Sequence, residues 1–212
     1  MVPASNLWAF VLASVVLIVI PGPSVLFVIG RSLALGRMGG LLSVVGNAAG
    51  MLPLVAAVAL GVGTVVAQSV VLFTAVKIAG ALYLVHLGVQ AIRHRADAAD
   101  AVTRPVAPRS PWRLLGEGFV VGVTNPKTIA FFVAVLPQFV AFEAGAIPLQ
   151  MAVLGTAFVV LALACDSLWA LAAGTARDWF ARSPRRASHL AASGGVMMIG
   201  LGGVLALSGN KH

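Results

Sequence analysis

Four ionisable residues lie inside long apolar segments of this 212-residue chain. Lys77, Lys127 and Asp166 stand well within such segments, and Glu117 lies nearer to the end of one. An ionised group at the centre of a bilayer costs at least about 2.5–3.5 kcal/mol on insertion scales. Such groups usually pair with one another or line a watery pathway, so these four are candidates for intramembrane charges that couple or bind a solute.

Two proline motifs interrupt apolar segments well away from the segment ends. Pro21-Gly22-Pro23 interrupts the first segment, and Asn125-Pro126 interrupts the fourth. Proline lacks the N–H that continues a helix, but it is favoured as the first residue of a new one, and Asn is among the strongest caps. We therefore predict that a helix begins in mid-membrane at each motif. The exposed N–H groups and half positive charge of such an end suit a carboxylate.

Two interpretations of these motifs stay open. The prolines can simply kink two continuous helices, which membrane helices tolerate. Paired interruptions in corresponding spans favour a transport site instead, because such pairs are the best sequence pointer to one.

Lys127 directly follows the predicted cap, so a cation stands beside the positive end of a helix. It needs an anion there, either Asp166, a substrate carboxylate, or each in turn. An unpaired Asp166 can also take up a proton, which suits proton-driven exchange. A static Lys127–Asp166 pair that only fixes packing remains an alternative, as does snorkelling of Lys77 to the outer surface.

Small and polar residues complete the candidate site. The stretch Gly46–Gly50 has the GxxxG spacing that lets membrane helices approach closely. Asn47 and Gln138 are polar residues that we expect to reach a substrate cavity. The predicted substrate-binding set is therefore Pro21, Gly22, Pro23, Asn47, Asn125, Pro126, Lys127 and Gln138.

The elements that position these residues follow from composition. The chain is 60% hydrophobic and 9% charged, whereas a soluble domain carries roughly 25% charged residues. A helix needs about 20 apolar residues to cross a bilayer, and the apolar runs are continuous rather than alternating, which disfavours a barrel. The sequence thus predicts an all-α membrane protein with about six spans, near 7–29, 41–67, 70–92, 113–142, 148–174 and 189–208.

The basic residues predict the orientation of these spans. Eleven of the 14 lysines and arginines lie in the links from span one to two, three to four and five to six. The positive-inside rule makes these links cytoplasmic, so both termini face outward. The same rule explains the net charge of +8 without a nucleic-acid partner. The basic loop 93–112 separates residues 1–92 from residues 113–212, and three spans on each side predict two inverted repeats, each with a broken first helix.

Several of these motifs together resemble the LysE/RhtB family of amino-acid exporters. The matching elements, in chain order, are Pro21-Gly22-Pro23, the Gly46–Gly50 stretch, the run from Lys77 to Leu84, Asn125-Pro126-Lys127, Phe131-Phe132, Leu136-Pro137-Gln138-Phe139 and Asp166. Their order and spacing cover nearly the whole chain. The resemblance implies an inner-membrane exporter of an amino acid or a derivative, driven by the proton gradient.

Other functions fit the residues less well. Export of an inorganic cation is the alternative, but such a pathway is expected to show several converging carboxylates. Enzyme motifs such as HExxH or GxSxG are absent from the sequence, so we expect no catalytic activity, no cofactor and no metal. The expected partners are a small zwitterionic solute and the lipid bilayer, and the chain is compatible with a homodimer.

Overall fold

The computed structural model describes residues 2–62, 70–97, 110–175, 183 and 185–207, and these are predominantly helical, with no strand. The helices are α1 Ala4–Val19, α2 Pro23–Ala57, α3 Val70–Arg93, α4 Pro111–Thr124, α5 Pro126–Ala130, α6 Ile147–Thr175 and α7 Arg185–Leu207. A π turn at Val58–Val62 extends α2, and α5 continues through a π turn at Phe131–Val135 and a 3₁₀ turn at Leu136–Phe139. The predicted all-α class is confirmed.

Helix α2 is a tight hairpin, because the chain reverses at Gly36. This residue has φ 76° and ψ 179°, a conformation that is essentially restricted to glycine. In a straight helix, positions 32 and 40 would lie about 12 Å apart. Here a Cβ atom on Gly40 would lie 1.8 Å from the Ser32 hydroxyl oxygen. The arms 23–35 and 37–57 therefore run side by side in opposite directions.

Four helical stretches of the described residues are long and apolar enough to cross a membrane. They are Pro23–Gly61, Thr74–Arg93, Pro111–Phe139 and Ile147–Thr175, while Ala4–Val19 and Ala191–Leu207 are shorter apolar helices. Since Pro23–Gly61 contains the reversal at Gly36, its first arm continues the predicted first span and its second arm forms the second. The division into two inverted three-helix repeats stays a prediction.

Both predicted interruptions are true breaks between helices rather than kinks. Ile20 ends α1 in an extended conformation (φ −60°, ψ 118°), and Gly22 precedes α2 with φ −100° and ψ −172°. Asn125 is likewise extended (φ −65°, ψ 108°) between α4 and α5. Each proline that follows, Pro23 or Pro126, is the first residue of the new helix. The alternative of two continuous kinked helices is therefore excluded.

Glycines bring α2 and α4 into backbone contact. A Cβ atom on Gly46 or Gly50 would lie 2.2 Å from a carbonyl oxygen of α4, and one on Gly118 or Gly122 would lie 2.4 or 2.1 Å from a carbonyl oxygen of α2. The predicted GxxxG stretch of α2 thus meets a second one in α4, which the sequence analysis did not single out. This close approach fixes the second arm of α2 against α4, the first half of the broken fourth span.

An aromatic cluster packs α1 against α5 and α6. Phe10, Phe131 and Phe132 are fully buried, and Phe158 is nearly so. Ring centroids lie 5.1 Å apart for Phe131 and Phe158 and 5.0 Å apart for Phe132 and Phe158. Along the first span, the cluster lies on the side of the break that α1 occupies.

We expect Gly122→Ala to destabilise the protein, because the added methyl group meets the Asn47 carbonyl and must push α2 and α4 apart. Overpacking of this kind costs typically about 1–3 kcal/mol. Thermal unfolding of purified protein in detergent measures the effect. Gly116→Ala, on the same helix, is the matched control because its Cβ atom would meet nothing within 4 Å. Equal unfolding midpoints for the two variants would contradict the proposed close packing.

Candidate transport site

The Lys127 side chain caps the C-terminal end of α1. Its Nζ donates hydrogen bonds to the carbonyl oxygens of Leu17 at 3.0 Å and Ile20 at 2.9 Å, and the residue is only 3% exposed. A helix that ends inside the membrane leaves carbonyl groups without partners and carries about half a negative charge at that end. The buried ammonium group satisfies both, so it stabilises the first half of the broken span.

Gly22 leaves the space through which Lys127 reaches α1. A Cβ atom on Gly22 would lie 3.1 Å from Lys127 Nζ and 3.2 Å from two carbons of the same side chain. These contacts are tighter than ordinary van der Waals distances, and the lysine is held at both carbonyls. The glycine of the Pro21-Gly22-Pro23 motif therefore allows the Lys127 side chain to approach the backbone closely.

Asn125 connects the two breaks directly. Its Oδ1 accepts a hydrogen bond from the Lys127 backbone N–H at 3.1 Å, which caps α5 as predicted. Its Nδ2 donates to the Ser24 hydroxyl oxygen at 3.0 Å, and Ser24 lies in the first turn of α2. The N-terminal ends of α2 and α5 are thus held together by one amide side chain.

Asp166 of α6 faces the same region with a different partner. Its Oδ2 accepts a hydrogen bond from Asn47 Nδ2 at 3.1 Å, and both residues are buried. Glu117 forms ion pairs with Arg31 and Arg113, whereas Lys127 and Asp166, which are both among the described residues, are not in direct ion-pair contact. Their opposite charges instead line one cavity, so the carboxylate is buried beside a cation that it does not touch.

The cavity between these groups is closed to a solute. It is lined by Ile18, Ser24, Val25, Met51, Lys127, Thr128, Phe158, Ala162 and Asp166, and its volume is about 10 Å³. That is room for about one water molecule. Ser24 and Val25 belong to the first turn of α2, and Thr128 belongs to that of α5. Two helix N-terminal ends, one cation and one carboxylate therefore converge on it.

The structure brings together part of the predicted site. Gly22, Asn47, Asn125, Lys127 and Asp166 meet at or beside the cavity, while Pro23 and Pro126 begin the two helices that enter it. The carbonyl group of Pro21 instead packs against α7, where a Cβ atom on Gly194 would lie 2.3 Å from its oxygen.

The remaining predicted residues lie elsewhere. Gln138 is not among the residues that line the cavity, and its Nε2 donates to the Ala134 carbonyl oxygen of its own helical stretch. Lys77 is buried on α3, so its side chain does not snorkel to the protein surface, and it does not line the cavity either. Glu117 forms ion pairs with Arg31 and Arg113 at another surface.

Comparison with known proteins identifies the family. The model of a family described as LysE type translocator matches residues 15–209. The chain belongs to the LysE type translocator family. The resemblance that the motifs indicated is thereby confirmed, and this translocator is a membrane protein of a transporter family.

Relatives of this translocator match along most of its length. It is 34% identical over 203 residues to an uncharacterized membrane protein of Vibrio cholerae, covering 95% of this chain and 97% of that protein. It is 30% identical over 199 residues to a homoserine/homoserine lactone efflux protein of Salmonella typhimurium, covering 94% and 95%. A leucine efflux protein of the same species is 31% identical over 136 residues, covering 64% of this chain and 63% of that protein. No solved structure matches the chain.

Sequence reasoning about this translocator missed the partners of Lys127. It considered only the helix that begins at each break, yet each break also ends a helix, and the carbonyl groups of that end need a donor. The signal was present, because a lysine in a broken span can satisfy a C-terminal end. Ser24 and Thr128 were also missed, although both immediately follow residues that were singled out.

We expect Lys127→Met to lower the stability of the translocator, because two buried carbonyl groups of α1 lose their donor. Leaving a buried polar group unsatisfied costs about 1–3 kcal/mol. Thermal unfolding in detergent tests this expectation. Thr124→Val is the control, since the exposed Thr124 hydroxyl only donates to the Val120 carbonyl within its own helix. An unchanged unfolding midpoint for Lys127→Met would show that α1 does not depend on this cap.

Proposed function

We propose that this translocator is a secondary active exporter of an amino acid or an amino-acid derivative, driven by the proton gradient. The observation that carries the proposal is the cavity in which Lys127, Asp166 and the first turns of α2 and α5 converge. The family and the names of its relatives support export, and the leucine and homoserine efflux proteins among them support an amino-acid-like solute.

The charges of the cavity complement a zwitterion. A solute carboxylate suits the two helix N-terminal ends and Lys127, whose ammonium group has three donors and uses two of them for α1 carbonyls. A solute ammonium group suits the Asp166 carboxylate, in a charge-assisted hydrogen bond. One cation and one anion thus match the two charges of an amino acid.

The same arrangement supplies a reason for proton exchange. A proton on Asp166 removes the negative charge that the solute ammonium group needs. Proton and solute therefore compete for one carboxylate, and a carrier that can cross only with one or the other exchanges them. This competition is the physical basis of the proposed antiport.

Solute entry requires the closed cavity to open. On one side, Phe158 of the aromatic cluster lines it, and the Phe158 ring packs against those of Phe131 and Phe132. On the other, a crevice of about 210 Å³ runs from His94 and Gln90 near the end of α3 to Pro23 at the break. We propose that this crevice lies on the cytoplasmic route and that the aromatic cluster closes the outward route.

The proposed orientation follows the charge distribution. The basic links are cytoplasmic, both termini face outward, and the translocator lies in the inner membrane as two inverted three-helix repeats. Trp8 and Trp112 have exposed side chains, and exposed tryptophans favour the membrane–water interface. They support an orientation in which the starts of α1 and α4 lie at opposite interfaces.

We expect proteoliposomes containing the translocator to show counterflow of at least one L-amino acid, accelerated by a pH gradient. Radiolabelled uptake against an unlabelled internal pool measures it for each amino acid, with homoserine and leucine in the panel. Protein-free liposomes are the control. A monodisperse preparation that moves no member of the panel would contradict the proposal, and movement of inorganic cations instead would favour the alternative class of solute.

We expect Asp166→Asn to abolish both solute counterflow and pH-driven flux. The amide keeps the size of the side chain, but it lacks the negative charge that the solute ammonium group needs and it cannot take up a proton. Uptake into proteoliposomes, with and without a pH gradient, should fall to the level of protein-free liposomes. Glu143→Gln, which removes an exposed carboxyl between α5 and α6, should keep the wild-type flux. Wild-type pH-driven flux in Asp166→Asn would exclude Asp166 as the coupling group.

A further inference from the structure

A second cavity lies on the outer surface of the helix bundle, between the first arm of α2 and helix α4. It has a volume of about 570 Å³ and is lined by Phe27, Arg31, Arg113, Gly116, Glu117, Val120 and Val121. None of these residues lines the cavity between Lys127 and Asp166. We call this surface the α2–α4 groove.

The α2–α4 groove is charged at one end and apolar at the other. Arg113 lies in the first turn of α4, and Val121 lies eight residues further along, about 12 Å deeper at the helical rise. On α2, Phe27 lies one turn closer to the mid-membrane break than Arg31 does. A polar end followed by about two turns of apolar wall has the polarity gradient of a phospholipid, with a headgroup at one end and acyl chains at the other.

The charged end carries two arginines against one carboxylate. Glu117 pairs with both Arg31 and Arg113, and the residues that line this end carry two positive charges and one negative charge. Arg31 is held over the Phe27 ring, with its guanidinium carbon 5.0 Å from the ring centroid. The Arg113 side chain is 64% exposed, and its pair with Glu117 uses only one of five N–H donors. The end of the groove is therefore built to accept an anion.

Neighbouring residues place the arginine end at headgroup level. Trp112 is 81% exposed and immediately precedes Arg113, and exposed tryptophans favour the membrane–water interface. The basic links next to both arginines are the ones assigned to the cytoplasm, where the leaflet is rich in anionic lipid.

We propose that the α2–α4 groove binds an anionic phospholipid of the cytoplasmic leaflet. The phosphate accepts hydrogen bonds from Arg113 and Arg31, and an acyl chain follows Phe27, Gly116, Val120 and Val121. Basic pockets between membrane helices on the cytoplasmic side commonly bind such headgroups. The proposal rests on the proposed orientation and not on the identity of the solute.

Bound lipid would act on the arm of α2 that begins at the break. Arg31 stands two turns beyond Pro23, and Arg113 belongs to α4, so a lipid phosphate in contact with both arginines holds this arm against α4. An exporter that must move its broken helices would then respond to the lipid composition of the membrane.

Native mass spectrometry of protein released from mixed phosphatidylethanolamine and phosphatidylglycerol membranes tests the proposal. The wild type should retain phosphatidylglycerol in preference to phosphatidylethanolamine, and inorganic phosphate should not displace it. Arg113→Gln should lower the retention about fivefold, because one basic residue near the surface contributes about that factor to binding anionic lipid. Arg93→Gln, at the exposed end of α3, should leave it unchanged.

A second variant tests the apolar part of the groove independently of charge. Gly116→Leu adds a side chain to the groove at a position where the Cβ atom meets nothing, so it should block the acyl chain without disturbing the helix contacts. Gly200→Leu, in similar open space on α7, is the matched control. Equal retention of the two lipids by the wild type, or full retention by Gly116→Leu, would overturn the proposal. Displacement by phosphate would show a site for the headgroup anion alone.

Discussion

A helix that is broken inside a bilayer exposes two ends, and the structure depends on satisfying both of them. The end of α1 offers carbonyl groups, and the start of α5 offers N–H groups and a positive field. Lys127 connects the two because its side chain donates to Leu17 and Ile20 while its own backbone N–H is capped by Asn125. One residue therefore holds the end of one half-span against the beginning of another. An apolar residue of similar size would leave the carbonyl groups of α1 unsatisfied in a medium without water.

The close packing of the α2 and α4 backbones positions the second polar contact of the site, between Asn47 and Asp166. Asn47 stands between the glycines of α2, so its backbone meets Gly122 of α4 while its side chain reaches Asp166 of α6. The distance between α2 and α4 therefore sets where the amide can meet the carboxylate. Larger residues at Gly46 or Gly50 would separate these helices and move Asn47 with them. The polar centre and the glycine contact are parts of one arrangement, although they lie on different faces of α2.

The sequence predicts the breaks, because proline chemistry is local and the motifs at residues 21–23 and 125–126 stand in otherwise continuous apolar runs. The all-α class and the close contact at Gly46–Gly50 can be predicted for the same reason, because they too depend on local sequence patterns. The sequence does not predict which groups the polar side chains contact. Whether Lys127 meets Asp166 or the end of α1 depends on where three separate helices stand, and no spacing along the chain encodes that. Gln138 shows the same limit, since its amide bonds to its own helical stretch rather than to the cavity.

The scarcity of charge in the cavity has a consequence for the direction of the proposed transport. With Lys127 and Asp166 both ionised, the empty cavity is neutral, and it stays neutral when a zwitterion enters. Only a proton on Asp166, bound in place of the solute, gives the cavity a net positive charge. A membrane potential that is negative inside acts on a unit charge with about 2.3 kcal/mol per 100 mV. It therefore draws the protonated form inward and leaves the solute-bound form unaffected. One lysine and one aspartate would thus let both the pH difference and the voltage favour export.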